Sequence, residues 1–255
     1  MKPIYIIGNL KMNFTKSSLT KYLHNLKEES QKSGNIIGVA VPFIYISLAQ
    51  KILTGTKILL GAQNMFYESF GAFTGEINAQ MLKDYNVKFV IIGHSERRNI
   101  FLETDSLINK KLINALDNNL TPILCVGESL SDRQNNLTSN IIKSQIITAL
   151  KNVPKNKVQD IIIAYEPVWA IGTNVSATKN DANDAIKYIK SLIKELYNFK
   201  NDVKLTVLYG GSVNYSNAEN LFKTASIDGG LIGGASKNIE EFKKIINLKV
   251  EKNEK

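Results

Sequence analysis

The chain is short of the residues that usually announce a specialised setting. It has one cysteine, Cys125, which excludes an internal disulfide framework and fits a reducing, cytoplasmic location. No apolar run approaches the roughly 18 residues that a membrane span needs, so no membrane association is expected. Met1-Lys2-Pro3-Ile4 lacks the long apolar stretch and small-residue cleavage site of a signal peptide, and Gly8-Asn9 interrupts it early. No G-x-G-x-x-G follows the first strand candidate and no G-x-x-x-x-G-K-[ST] occurs, which counts against a nucleotide-binding open sheet. No linker, low-complexity tract or composition shift divides the 255 residues. The chain therefore reads as one domain over 1–255, a length usual for a single α/β barrel, with 249–255 as a frayed tail.

What is abundant is lysine. The net charge is +9 and the pI near 9.4, which raises a nucleic-acid or membrane partner. Arginine is scarce, however, and the lysines are spread through helical segments such as 187–190 and 243–244, mixed with Glu and Asp. No basic block is interleaved with aromatics. A compositional bias toward Lys, Asn and Ile explains the charge, and no nucleic-acid partner is expected.

Short β-branched runs alternate with longer amphipathic ones. Strand candidates fall at 4–8, 36–41, 57–62, 89–93, 122–126, 160–165, 204–209 and 229–232, the number a closed parallel barrel needs. Continuous apolar runs such as Ile161-Ile162-Ile163-Ala164 suit parallel strands buried on both faces. Helical patterns cover 18–30, 105–118 (with Thr104 or Asp105 as the cap) and 182–197. Alternation alone leaves an open doubly wound sheet as a rival. The α/β barrel reading adds a layout: the chemistry sits where strands end and loops begin.

The distinctive residues fall at those ends. The first strand runs into Gly8-Asn9-Leu10-Lys11-Met12-Asn13. A loop lysine is ordinarily a solvated charge, but a fixed ammonium at a strand end can balance a phosphate or a developing oxyanion, and Asn9 can orient an oxygen. The fourth strand runs into Gly93-His94-Ser95-Glu96-Arg97-Arg98. His24 lies within a helical pattern and reads as a surface residue. His94 precedes Ser95, the expected N-cap, and the positive end of a helix disfavours an imidazolium there. A neutral imidazole can donate to a substrate carbonyl. Glu96-Arg97-Arg98 also reads as a first-turn charge pattern with surface ion pairs, and that reading keeps weight for Arg98.

The sixth strand runs into Tyr165-Glu166-Pro167-Val168-Trp169-Ala170-Ile171-Gly172-Thr173. A glutamate closing an apolar strand is poorly explained as core or as surface. Pro167 forces a turn, and the apolar residues after it suit either a covering lid or simple packing of Trp169 on the rim. A lid over Glu166 would exclude water and raise its basicity. The last two strands end in Gly210-Gly211-Ser212 and Gly233-Gly234-Ala235-Ser236. Bare backbone amides there suit phosphate, which barrels often hold with these two loops. Cys125, in Ile123-Leu124-Cys125-Val126-Gly127-Glu128, reads as a small buried hydrophobe.

Together with Gly61-Ala62-Gln63-Asn64 and Gly71-Ala72-Phe73-Thr74-Gly75-Glu76, these motifs, in order, resemble the triosephosphate isomerase family over almost the whole chain. The resemblance implies a (β/α)8 barrel, a homodimer, and interconversion of dihydroxyacetone phosphate and glyceraldehyde 3-phosphate without cofactor or metal. It implies Glu166 as the base, His94 as the neutral electrophile, Lys11 and Asn9 at the substrate oxygens, and Glu96 as the carboxylate supporting Lys11. It places the phosphate on Gly172, Ser212, Gly233 and Gly234, and makes 167–173 the lid. Residues 71–76 resemble the family's dimer loop, with Thr74 reaching the other subunit near Asn9 and Lys11 and with Met12 also at the contact. The sequence departs at the lid's C-terminal hinge, where Asn174-Val175-Ser176-Ala177 replaces the usual Gly-Lys-Thr-Ala, and at Lys237, where an apolar residue is more usual. A Schiff-base aldolase would want a lysine inside a central strand, and a phosphoribosyl isomerase would want paired aspartates at strand ends. Neither pattern is present, and a catalytically impaired barrel serving as a scaffold is the alternative from another class.

Overall fold

The computed structural model describes residues 3–170, 177–201 and 203–252. Eight parallel strands close in sequence order, β1 pairing with both β2 and β8. They are β1 (Tyr5–Asn9), β2 (Ile36–Val41), β3 (Leu59–Ala62), β4 (Phe89–Ile92), β5 (Thr121–Val126), β6 (Ile162–Tyr165), β7 (Thr206–Tyr209) and β8 (Gly229–Ile232). Helices α1 (Lys16–Ser30), α2 (Ile46–Leu53), α3 (Ala79–Asp84), α4 (Ser95–Asn99), α5 (Asp105–Asp117), α6 (Leu130–Gln134), α7 (Thr138–Ala149), α8 (Lys179–Leu196), α9 (Tyr215–Phe222) and α10 (Ile239–Ile246) follow the strands around the outside.

Strand alternation splits the core into two shells. Ile7, Phe89, Ile91, Ile123, Cys125, Ile162, Ala164, Leu208 and Leu231 pack together inside the barrel. The residues between them, such as Ile6, Val90, Leu124, Ile163 and Val207, join the larger cluster under the helices. This parity positions the site. Asn9 is the next inward residue after Ile7, and Glu166 is the next after Ile162 and Ala164. Both side chains therefore top the barrel's interior at the C-terminal mouth.

Two expectations change. The strands expected from 57, 160 and 204 begin two residues later, at Leu59, Ile162 and Thr206; before β6, Lys155–Asp160 winds into a 3-10 segment first. The tail expected to fray from 249 is held through 252. Val250 is buried, and the Lys252 ammonium donates to the carbonyls of Thr224 and Ile227, carbonyls between α9 and β8 that an added cation satisfies.

Candidate active site

The turn after β1 is held from several sides. Asn9 is buried, and its Oδ1 accepts the Lys11 amide at 3.1 Å. Lys11 sits at φ 51°, a left-handed conformation that a side-chain-bearing residue adopts at a cost of about 1 kcal/mol or more. The Lys11 carbonyl accepts Gln63 Nε2 at 3.0 Å, and the same amide group reaches the Ala40 carbonyl at 3.0 Å. The strained turn is thus pinned to β2 and to the end of β3. It aims the Lys11 ammonium at Glu96, whose Oε1 accepts it at 2.6 Å.

The end of β4 differs from expectation in a useful way. His94, not Ser95, is the N-cap of α4: its Nδ1 accepts the Glu96 amide at 3.2 Å. Glu96 Oε2 also lies 3.5 Å from that nitrogen, and with Nδ1 held on the α4 side the ring turns its Nε2 edge toward β6. That Nε2 lies 3.3 Å from Glu166 Oε1. The freed Ser95 amide donates to the other oxygen, Glu166 Oε2, at 2.9 Å. His94 and Glu166 are 6% and 2% exposed, so the pair meets in a setting that favours strong polar contacts. Glu166 is itself fixed to β5 by its amide, which donates to the Val126 carbonyl at 2.8 Å. Gly210, on the facing strand end, leaves room for it: a Cβ there would lie 2.8 Å from Glu166 Cγ.

Cys125 lies one inward layer below, fully buried. Burial, and then the Glu166 carboxylate, push its thiol well above the ordinary range, so it is a neutral packing group.

Beyond Glu166, Pro167 is buried and Val168–Ala170 forms a 3-10 turn. Trp169 packs on the rim, the second of the two readings offered for it. Its Nε1 donates to Glu128 Oε1 at 2.9 Å, and Arg133 lies over its ring at 4.5 Å. Glu128, fully buried, also accepts the Tyr165 hydroxyl at 3.1 Å. The signal for Glu128 was its place at the end of β5, where a carboxylate following a glycine is no better explained as surface than Glu166 is. Ile171, Gly172 and Thr173, with hinge residues Asn174, Val175 and Ser176, lie outside the described residues.

Ser212 Oγ donates to the Ala170 carbonyl at 2.5 Å, tying the loop after β7 to the turn after β6. Gly233 abuts Lys11, since a Cβ there would lie 3.1 Å from Lys11 Cε, while Gly234 is exposed. The loops after β1, β6, β7 and β8 thus converge on one mouth. Met12 and Thr74 do not join it; they are exposed, Met12 to 95%. His24 is exposed on α1, as expected. Among the described residues no group of three or more His, Cys, Asp or Glu side chains is arranged to hold a metal, and no helix is long and apolar enough to cross a membrane.

A closed parallel barrel that gathers a buried carboxylate, an imidazole and a lysine at its C-terminal mouth has the layout of an α/β-barrel enzyme. The triosephosphate isomerase family model matches residues 4–249. The triosephosphate isomerase of Alkaliphilus oremlandii is 47% identical over 247 residues, 97% of this chain and 99% of that one. Those of Thermoanaerobacter pseudethanolicus and Clostridium tetani are 45% and 42% identical over 96% and 98% of this chain and 99% and 100% of theirs. The chain belongs to the triosephosphate isomerase family.

Proposed function

We propose that the chain interconverts dihydroxyacetone phosphate and D-glyceraldehyde 3-phosphate by a glutamate-mediated proton transfer through an enediolate, a step of glycolysis and gluconeogenesis. The observation that carries the reading is the buried pairing of Glu166 with the Nε2 edge of His94, beside the Lys11 ammonium. Glu166 takes a proton from the carbon next to the substrate carbonyl and returns it to the neighbouring carbon. Its carboxylate first leaves the Ser95 amide, because both its oxygens are engaged in the present arrangement. The His94 Nε2 proton and Lys11 face the oxygens where enediolate charge develops. Asn9 orients the substrate and Glu96 holds Lys11 in place. No cofactor or metal takes part.

The phosphate would sit against the amides of Ser212, Gly233 and Gly234; Gly172, expected with them, lies outside the described residues. The segment 167–173 acts as the lid that excludes water and limits loss of phosphate from the intermediate. The chain works in the cytoplasm as a homodimer, with Thr74 and Met12 at the contact. Support for that contact comes from the exposure of Met12, Phe70 and Phe73, a set of apolar side chains that invites a cover.

The test is isomerisation of glyceraldehyde 3-phosphate by the purified chain beside Glu166→Gln and His94→Ala. Each variant is expected to lose about 10²–10⁴-fold in kcat, the usual contribution of a positioned acid or base. A folded, dimeric parent with no turnover would leave a binding or scaffold role in its place.

A further inference from the structure

We propose that Arg98 is a positioning residue of the proton-transfer site: its guanidinium bridges the ends of β4 and β5 and so sets the separation of His94 from Glu166. The inference rests on the acid–base reading above.

Arg98 was expected among surface ion pairs, yet its side chain is only 14% exposed. It folds back from α4 onto the strand ends. Nε donates to the Gly93 carbonyl at 2.7 Å, and the Nη2 nitrogen to the Cys125 carbonyl at 3.0 Å. The remaining Nη1 nitrogen meets Asp105 Oδ1 at 2.5 Å, at the first turn of α5.

The two carbonyls have a common place in the sheet. The β4–β5 ladder ends with Ile92 opposite Leu124, and Gly93 and Cys125 are the next residues on each strand. Gly93, at φ +70°, then turns the chain out of the strand and into α4. Its carbonyl has left the ladder, and the planar guanidinium fork supplies the missing rung, with a geometry that a point-charge ammonium lacks.

His94 and Glu166 hang from β4 and β6, with β5 between them. The β5–β6 side is secured by the ladder through Val126 opposite Tyr165 and by the Glu166 amide on the Val126 carbonyl. The β4–β5 side has the Arg98 rung at the equivalent level. Cutting it lets Gly93, and the imidazole that follows, move away from the carboxylate. The His94 carbonyl accepts the amides of Arg97 and Arg98, so α4 shifts with it.

The full-length chain would be assayed as Arg98→Lys, Arg98→Gln and Asp105→Asn beside the parent. The readouts are kcat and KM for the triose phosphate, urea unfolding, and nitrogen NMR of the histidine rings, which only His24 and His94 contribute. Both Arg98 variants are expected to lose about 10–100-fold in kcat with KM within about threefold, the signature of an ångström-scale misplacement. The His94 ring resonances are expected to move with His24 unchanged. Asp105→Asn keeps both carbonyl contacts and should keep kcat within about threefold. Folded Arg98 variants with parental kcat and parental His94 resonances would overturn the proposal, whatever stability they lose. If Arg98→Gln does not fold, Arg98→Lys decides. If the parent itself shows no turnover, the isomerase reading fails, and the His94 resonances still report whether Arg98 positions the ring.

Discussion

The imidazole of His94 is fixed by two contacts on opposite edges: the Glu96 amide at Nδ1 and the Glu166 carboxylate near Nε2. Glu96 Oε2 lies 3.5 Å from the same Nδ1, so the ring's orientation is set by direct contacts rather than by the helix dipole alone. The residue beneath, Cys125, is governed by burial. Its thiol, raised by burial and then by the Glu166 charge, is expected to resist alkylating reagents at pH 8 in the native protein and to react promptly after urea unfolding, which exposes it to water and reagent. Prompt native labelling with retained structure would contradict that placement. At this scale the residue identities were legible from strand-end position, but their contacts were not. Neither the capping role of His94 nor the burial of Arg98 is written in local spacing; each depends on how far the chain turns at Gly93.

The elements are joined by a second polar group away from the mouth. Lys111, on the buried side of α5, donates to Glu103 Oε1 at 2.5 Å and to Asn64 Oδ1 at 2.8 Å, and Arg97 Nε reaches the same Glu103 oxygen at 2.5 Å. The group ties α5 to α4 and to the loop after β3. Burial lowers the Lys111 ammonium below the usual range despite the Glu103 charge, and Glu103 Oε2 is buried without a hydrogen-bond partner among the described residues. Lys111→Met would strand the carboxylate further and is expected to cost about 3 kcal/mol in urea unfolding, typical of breaking a buried pair. The double variant Lys111→Met with Glu103→Met should lose less than the single one. A single variant of parental stability would show that the pair adds nothing to the fold. The sequence placed α5 well: its apolar spacing and the Thr104 cap, whose hydroxyl accepts the Leu107 amide at 3.3 Å, are local. It could not reveal that Lys111 faces inward, because a lysine on a helix ordinarily reads as solvent-facing.

At the scale of the molecule, the loops after β1, β3 and β4 leave large apolar side chains in solvent: Met12 at 95%, Phe70 at 69%, Phe101 at 62% and Leu102 at 77%. Phe66 and Tyr67, in the loop after β3, are half-buried instead: the Phe66 ring packs tilted against Tyr67 and Phe73, with centroids 4.4 and 4.7 Å away. The proposed second subunit would cover Met12, the residue after Lys11, and so steady the left-handed turn that carries the ammonium. Thr74→Glu is expected to yield a folded monomer by light scattering at micromolar concentration. Its kcat should fall on the order of 10²-fold, the effect of a loosened catalytic group. A monomeric variant of full activity would separate the turn from the partner.

The sequence by itself determined the strand–helix alternation and the strand ends where chemistry gathers, because hydrophobic periodicity and turn residues act over short stretches of chain. It also carried the family motifs. Only the tertiary structure decided which groups meet. His94 and Glu166 are 72 positions apart, yet lie 3.3 Å from each other at their nearest nitrogen and oxygen. Lys11 finds Glu96 across the barrel mouth, and Arg98 finds the end of β5. Such contacts follow from closure and register, which sum interactions over all eight strands. No local window contains that sum, so the site's residues could be named from the sequence while their partners and supports came from the fold.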